Sequence, residues 1–494
     1  MNQPINSNTE LFGKVSASTG TGQRSTVIKS ISSFLWLLFA INIAYLFFGY
    51  PKKGESEFLG LFRIDGFTIL IWTVVTLFSA VISSYAKRYL EGFRYRLRFM
   101  WLCLGFTLSV MLLVMSEHVA PLVASWLLMG IFMARLIGID KEWGEAREAS
   151  RFTLKYFLFG TILLCLGIML LAFNVNEYTL SRIMDSLDTV PIYIKLMAAL
   201  CIITAAVVQS AIYPFHRWLL SAMTAPTPAS ALMHAGFVNG SGILLALFAT
   251  LLFASETLDV LFVIGGLTAI VAQFNKLIQV NVKQKLACST IAQMGFMIMQ
   301  CGLGFFNAAV AHLILHGFYK AYLFLSSGEG VAQSRPEAPP QIKIKPLQVL
   351  AVLIFGALGA LLFIEWTGKG MTSDSGIFLT LIVAITVGQA TYNIVKEKSL
   401  SVLQKIIVPI GLFISGIGLY ALVYNGVTVL MVDMPMAVAP TSVSAVQIVF
   451  GIVFLIGFFI MKLGVYRKIP WLYVKLMNLS QPYKKTILMY KSNY

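Results

Sequence analysis

Long apolar runs separated by short polar or basic stretches dominate this chain. A run of about 20 apolar residues is what a helix needs to cross a bilayer. Fourteen such segments lie near 31–50, 65–86, 97–115, 117–139, 153–173, 192–213, 229–254, 258–279, 286–304, 306–327, 346–366, 376–396, 404–425 and 444–464. They predict an all-α polytopic membrane protein with about 14 transmembrane helices. Residues 1–30 read as a polar tail rich in Ser, Thr and Asn, and 31–464 as the transmembrane domain. Residues 465–494 read as a basic interfacial segment, because Trp471, Tyr473, Tyr483 and Tyr490 alternate there with Lys468, Lys475, Lys484 and Lys485. The polar stretch 328–345 reads as a linker between helices.

Composition narrows the class. Of 494 residues, 58% are apolar and 12% charged, and the mean hydropathy is +0.81. A soluble fold has about twice that share of charge and too little interior for so much apolar surface. A soluble enzyme, a disordered chain and a fibrous protein are excluded. The net charge of +16 points first to nucleic acid, but its distribution explains it otherwise. Of the 37 Lys and Arg, 30 fall in the termini, alternate loops and the span ends that border them, and five (Lys52, Lys53, Arg63, Arg182, Lys369) in the opposite loops. Lys195 and Lys320 fall inside spans. This asymmetry places both termini in the cytoplasm of a bacterial inner membrane and attracts anionic headgroups. The five cysteines form no CxxC pair and read as small apolar residues in helices, so no metal site is expected in this chain.

Ionisable groups at membrane depth are costly, so each is a functional candidate. His312, His316 and Lys320 are spaced i, i+4, i+8 and share one helix face. His234 lies in PTPASALMHAGFVNGSG. Imidazoles donate and accept protons near neutral pH, so such a stack predicts a proton or cation pathway. Lys320 would tune the histidines by charge repulsion or join the relay. Gln209 would orient water, and Lys276 either snorkels to the headgroups or belongs to the pathway. Lys283 and Lys285 read as headgroup contacts, His118 beside Glu117 as surface, and Asp65 as opening the second span. Pro214, Pro226 and Pro228 predict interruptions of the sixth and seventh spans. Gly368 and Gly370, beside Glu365 and Lys369, predict a second broken helix in the other half. Paired interrupted segments point to an inverted-repeat transporter with a mid-membrane pathway.

Four motifs carry a family resemblance: SAIYPFHRWLLSAMTAPTPASALMHAG, VKQKLACSTIAQMGFM, HLILHGFYKAYLFLSSG and IDGFTILIWTVV. They resemble the proton-translocating antiporter-like subunits of respiratory complex I and of Mrp cation/proton antiporters. HAGFVNGSGILL is most similar to the DabB family, membrane subunits of two-component inorganic-carbon uptake systems. The resemblance implies an antiporter-like fold with two inverted five-helix repeats, each containing a broken helix. It also implies conduction of protons or another cation. That flow would energise a soluble cytoplasmic partner, DabA, a zinc protein similar to β-carbonic anhydrases that hydrates CO2 to bicarbonate. The zinc would be the partner's, this chain would hold no cofactor, and this chain would be a transporter subunit rather than an enzyme.

Departures from the family pattern matter. The family's membrane Glu after a Trp is Leu127 here, and its broken-helix Lys is Gln209. Glu365 and Lys369 stand near the second broken-helix pair. The missing first pair argues for a passive or rewired path through the His-rich half. Two other functions stay open: an antiporter-like subunit of a complex I-type or Mrp complex, and a non-conducting membrane scaffold.

Overall fold

The computed structural model describes residues 20–327, 346–368, 374–396, 401, 403–436, 439, 442–462 and 464–487. The chain is a bundle of helices with one small hairpin, β1 (Ser56–Phe58) and β2 (Phe62–Ile64). The helices are α1 (Gly20–Ala44), α2 (Gly66–Tyr89), α3 (Arg96–Val114), α4 (Val119–Ile137), α5 (Gly144–Val175) and α6 (Ile192–Gln209). There follow the short α7 (Arg217–Ser221), α8 (Thr227–Ala235) and α9 (Gly240–Leu247), then α10 (Leu258–Ile278), α11 (Val282–Gly302) and α12 (Phe306–Leu325). After the linker come α13 (Pro346–Thr367), α14 (Gly376–Lys396), α15 (Gln404–Leu430), α16 (Ala445–Lys462) and α17 (Pro470–Leu479). Each predicted apolar segment overlaps a helix. Among the described residues, ten helical stretches are long and apolar enough to cross a membrane. The protein is therefore a multi-pass membrane protein.

Local chemistry sets the helix ends. Asp65 opens α2 as an N-cap, its carboxylate accepting from the Thr68 N–H at 2.8 Å and the Thr68 hydroxyl at 2.7 Å. His118 is likewise a cap: its Nδ1 accepts from the Ala120 N–H, and its ring stacks on Tyr178. Glu117 is buried and accepts from the Ser181 N–H at 2.9 Å, so this corner is packed rather than a free surface. α1 begins at Gly20, inside the stretch predicted as tail.

The predicted interruptions are only partly where sequence placed them. α6 ends at Gln209, and the chain turns through Ser210–His216, with Pro214 inside that break. Pro226 and Pro228 stand at the start of α8, where a missing N–H is harmless, so they begin a helix rather than break one. The second interruption of this region falls at Gly236, where a 3-10 turn over Phe237–Asn239 separates α8 from α9. In the other half, α13 runs unbroken to Thr367, and Gly368 turns the chain between helices with φ +67°. A broken helix at that point is not present among the described residues. Lys369, Gly370 and the 328–345 linker lie outside them.

Loop contacts sort into two faces. On one, the hairpin bridges Phe62 to Ser116, His118 pairs with Thr179, Asp374 with Ser442, and the Tyr50 hydroxyl donates to Asp433 at 2.8 Å. Lys52, Lys53, Arg63 and Arg182 lie on this hairpin face. On the other, Gln279 donates to the Ser480 carbonyl, the Tyr483 N–H to Ser221, and His216 pairs with the Leu479 carbonyl at 2.7 Å. Through these bonds, and a stack of Tyr483 on Phe152, residues 470–483 are strapped across the helix ends.

Small residues hold the middle of the bundle. A Cβ at Gly265 would sit 2.5 Å from the Gly295 carbonyl oxygen, so α10 and α11 touch backbone to backbone. Gly317 lets α12 approach Ala235 of α8 and Phe78 of α2. α12 packs against α2, α8, α9, α11 and α15 and is the hub of the fold.

Candidate functional site

The polar face of α12 points into that packed hub. Lys320 is fully buried, His316 is 6% exposed, and His312 lies at the edge of a cavity. The rings of His312 and His316 are nearly parallel, with centroids 6.1 Å apart. His234 of α8 is fully buried and stacks on Phe324, one turn beyond Lys320, at 4.3 Å. The packing of α8 on α12 sets His234 beside the turn that carries Lys320 and Phe324. Sequence spacing put three of these groups on one face, and the structure brings the fourth to them.

Their bonding is uneven. The Lys320 ammonium donates to the Leu286 carbonyl at 3.0 Å and to the Ser289 hydroxyl, both on α11. By contrast, both ring nitrogens of His234, both of His316 and Nε2 of His312 have no protein partner. An unmatched buried polar atom costs about 1–3 kcal/mol. Five such nitrogens fall on these three histidines, and an imidazole that bonds water instead of protein can both donate and accept a proton. Among the described residues the ion pairs all lie in loops or at helix ends, and none reaches Lys320. The Lys276 side chain is half-buried on α10.

The other predicted residues have different surroundings. The Gln209 side chain is buried, and its amide donates to the Phe237 carbonyl at 3.3 Å, a group freed by the 3-10 turn. Ser210 does the same for Val238 and meets Ser241. Gln209 thus serves the interrupted backbone, as bilayer-embedded breaks require. Lys283 does not reach for headgroups: its ammonium donates to the Ala225 carbonyl at 2.9 Å, and Gln284 to that of Leu220 at 3.0 Å. Both carbonyls end the α7 turn, so α11 caps it. Glu365 is exposed on α13. Leu127, at the family Glu position, is half-buried on α4.

Beyond His312 lies a cavity of about 490 Å³, bordered by α10, α11 and α13–α16. Gln273, Gln293, Phe296, Gln300, His312 and Tyr420 are among its lining residues. Sequence reasoning passed over these glutamines. Gln293 and Gln300, seven apart on α11, share a face, and that spacing was the available signal. It also missed Ser289, and Asn275, which donates to the Tyr213 hydroxyl. Among the described residues no three His, Cys, Asp or Glu side chains are grouped to hold a metal ion.

A multi-span helical bundle with a buried His–Lys face is similar to antiporter-like membrane subunits. Residues 116–340 match the family model described as "NADH:quinone oxidoreductase/Mrp antiporter, TM". The chain is 30% identical over 331 residues to the probable inorganic carbon transporter subunit DabB of Bacillus subtilis, covering 66% of either chain. It is 33% identical over 283 residues to the probable inorganic carbon transporter subunit DabB1 of Halothiobacillus neapolitanus, covering 56% of this chain and 51% of that one. The matches thus span just under two thirds, or about half, of these relatives' length. The solved Mrp complex from Dietzia sp. DQ12-45-1b shares the fold with a TM-score of 0.61 at 19% identity, over 92% of this chain and 56% of that one. Over residues 116–340 the chain is similar to the membrane subunits of the complex I/Mrp antiporter type, and among the relatives it resembles the DabB subunits.

Proposed function

We propose that this chain is the cation-conducting membrane subunit of a two-component system for inorganic-carbon accumulation. Protons, or another cation, pass down their gradient through His234, His312, His316 and Lys320. The flow energises a soluble zinc-bearing, carbonic-anhydrase-like partner of the DabA type on the cytoplasmic side, and any CO2 hydration occurs there. The observation that carries this reading is the buried line of imidazole nitrogens without protein partners, ending at the Lys320 ammonium. The lack of a charged pair at Leu127 and Gln209 supports conduction confined to this His-rich half. In the same reading the bundle has 14 spans and two inverted five-helix repeats, with the termini cytoplasmic in a bacterial inner membrane. Lys276 belongs to the inner end of the path, and Glu365 and Lys369 join it from the second half of the chain.

The fold neighbour from an Mrp complex supports a second reading, an antiporter-like subunit of a complex I-type or Mrp assembly. Purification from the native membrane separates the two. A soluble partner with stoichiometric zinc supports the carbon-uptake reading. Several paralogous membrane subunits, or flavin and iron–sulfur proteins, would overturn it.

A further inference from the structure

The conduction reading leaves open what lets the cation on the α12 face change its charge. Lys320 is fully buried, and no Asp or Glu occurs on α12 or on α2, α8, α9, α11 and α15, the helices packed against it. Among the described residues its ammonium has neutral hydrogen-bond partners, the Leu286 carbonyl at 3.0 Å and the Ser289 hydroxyl. The two are not equivalent. A carbonyl only accepts, whereas a hydroxyl donates one hydrogen and accepts on its lone pairs. An ammonium has three hydrogens to give and nothing to receive with. A neutral amine has two hydrogens and a lone pair that needs a donor. Of the two partners, the Ser289 hydroxyl can serve both forms.

The Leu286 carbonyl is crowded. Its two lone pairs face the Thr290 N–H of their own helix, the Lys320 ammonium, and the hydroxyls of Ser289 and Thr290, each at 3.2 Å. More donors than lone pairs leave the Ser289 hydrogen loosely held, and it can turn about the Cβ–Oγ bond without moving a heavy atom. The surroundings add no competing anion. His316 stands one turn before Lys320 on α12, and His234 of α8 stacks on Phe324 one turn beyond it. Cys288 is buried next to Ser289 on α11, and Lys276, half-buried on the adjoining α10, adds a second cation. α2 and α15 bring their tyrosines to other levels: the Tyr85 hydroxyl donates to the Leu325 carbonyl, and Tyr420 borders the cavity beside His312.

We propose that Ser289 is a positioning residue that lets Lys320 lose and regain its proton in place. With the ammonium, Ser289 Oγ accepts and its own hydrogen rests on Leu286. With the neutral amine, the hydroxyl turns and donates to the Nζ lone pair, while one amine hydrogen stays on Leu286. The proton that leaves comes from the N–H that neither partner takes. It passes to a water on His316, whose ring nitrogens have no protein partner, and its return reverses the step. A carboxylate in place of Ser289 would hold the ammonium charged, and an apolar side chain would leave the amine lone pair without a donor. This rests on the conduction reading for its purpose, but the charge change is testable without it.

The test follows the charge of Lys320 and the proton flux separately in the full chain. In protein carrying isotope-labelled lysine, the Cε resonance that disappears in Lys320→Met belongs to Lys320, and its position distinguishes ammonium from amine as pH is varied. It is expected to titrate in the unsubstituted chain. In Ser289→Asp it is expected to keep the ammonium position to a pH higher by about one unit or more, because a carboxylate favours the charged form. A resonance that never leaves the ammonium position in the unsubstituted chain, or that titrates identically in Ser289→Asp, would overturn the proposal. In proteoliposomes, Ser289→Ala is expected to slow proton flux about tenfold, the effect of losing one hydrogen bond in the step, and Ser289→Thr, which keeps the hydroxyl, to stay within about threefold. Unchanged flux in Ser289→Ala, or equal losses in Ser289→Ala and Ser289→Thr, from protein of equal folded yield, would overturn it as well. Absence of flux in the unsubstituted chain, with the titration as expected, would count against the conduction reading alone.

Discussion

Replacing His316 with Ala removes the middle member of the line. The rings of His312 and His316 are 6.1 Å apart, a gap that one or two waters bridge. Without His316 the next titratable group along the face is Lys320, eight residues beyond His312 and about 12 Å away at 1.5 Å rise per residue. That distance needs a file of about four waters in a packed apolar hub. General acid–base groups typically contribute 10²–10⁴-fold to proton transfer, so flux is expected to fall at least about a hundredfold. Stability should change far less. The ring makes no protein hydrogen bond, so truncation breaks none, and relay waters that fill the space it leaves hold the net change to about 2 kcal/mol. The assay is proton uptake into proteoliposomes under an imposed potassium diffusion potential, read with an internal pH dye, beside a thermal melt of the same sample. Flux within threefold of the unsubstituted chain, from protein of equal stability, would refute the relay.

Other substitutions test the surrounding account. Gly295→Val pushes a side chain into the α10 backbone, where even a Cβ would lie 2.7 Å from the Gly265 carbonyl, and is expected to cost about 3 kcal/mol or more; monodisperse recovery in detergent measures it. Lys283→Ala removes the shorter of two bonds to the Ala225 carbonyl, leaving that from the Ser230 hydroxyl at 3.4 Å, and should destabilise by about 1 kcal/mol, visible as a lower melting temperature, while Lys285→Ala, on an exposed side chain, should be near neutral. His216→Ala removes the bond to Leu479 that helps hold the C-terminal strap, so limited proteolysis near Pro470–Leu479 should accelerate with the rest of the chain still protected. Equal protease resistance would show that Gln279 and Tyr483 hold the strap without it.

Much of the fold was legible because lipid leaves little choice. A spanning segment must be helical and apolar, so segments and loop sides follow from hydropathy and from Lys and Arg counting. The α12 face was legible because i, i+4, i+8 spacing is local. What was hidden depends on contacts across helices. Nothing in the sequence distinguishes Lys283, turned inward to the Ala225 carbonyl, from Lys285, which stays exposed. Proline marks helix starts as readily as breaks, so Pro226 and Pro228 drew attention from Gly236, where the chain is actually interrupted. Tyr420 and Gln300 look like ordinary members of apolar helices until the folded bundle sets both on the wall of one cavity, 120 residues apart in sequence.

The central claim is that cation flow along the α12 face drives inorganic-carbon accumulation. Uptake of labelled inorganic carbon should be measured in cells carrying the chain with its partner, with and without an uncoupler, for the unsubstituted chain and for Lys320→Met at matched membrane levels. The account predicts uptake that collapses with the uncoupler and is lost in Lys320→Met. Uptake that persists in Lys320→Met and stays sensitive to the uncoupler would contradict it.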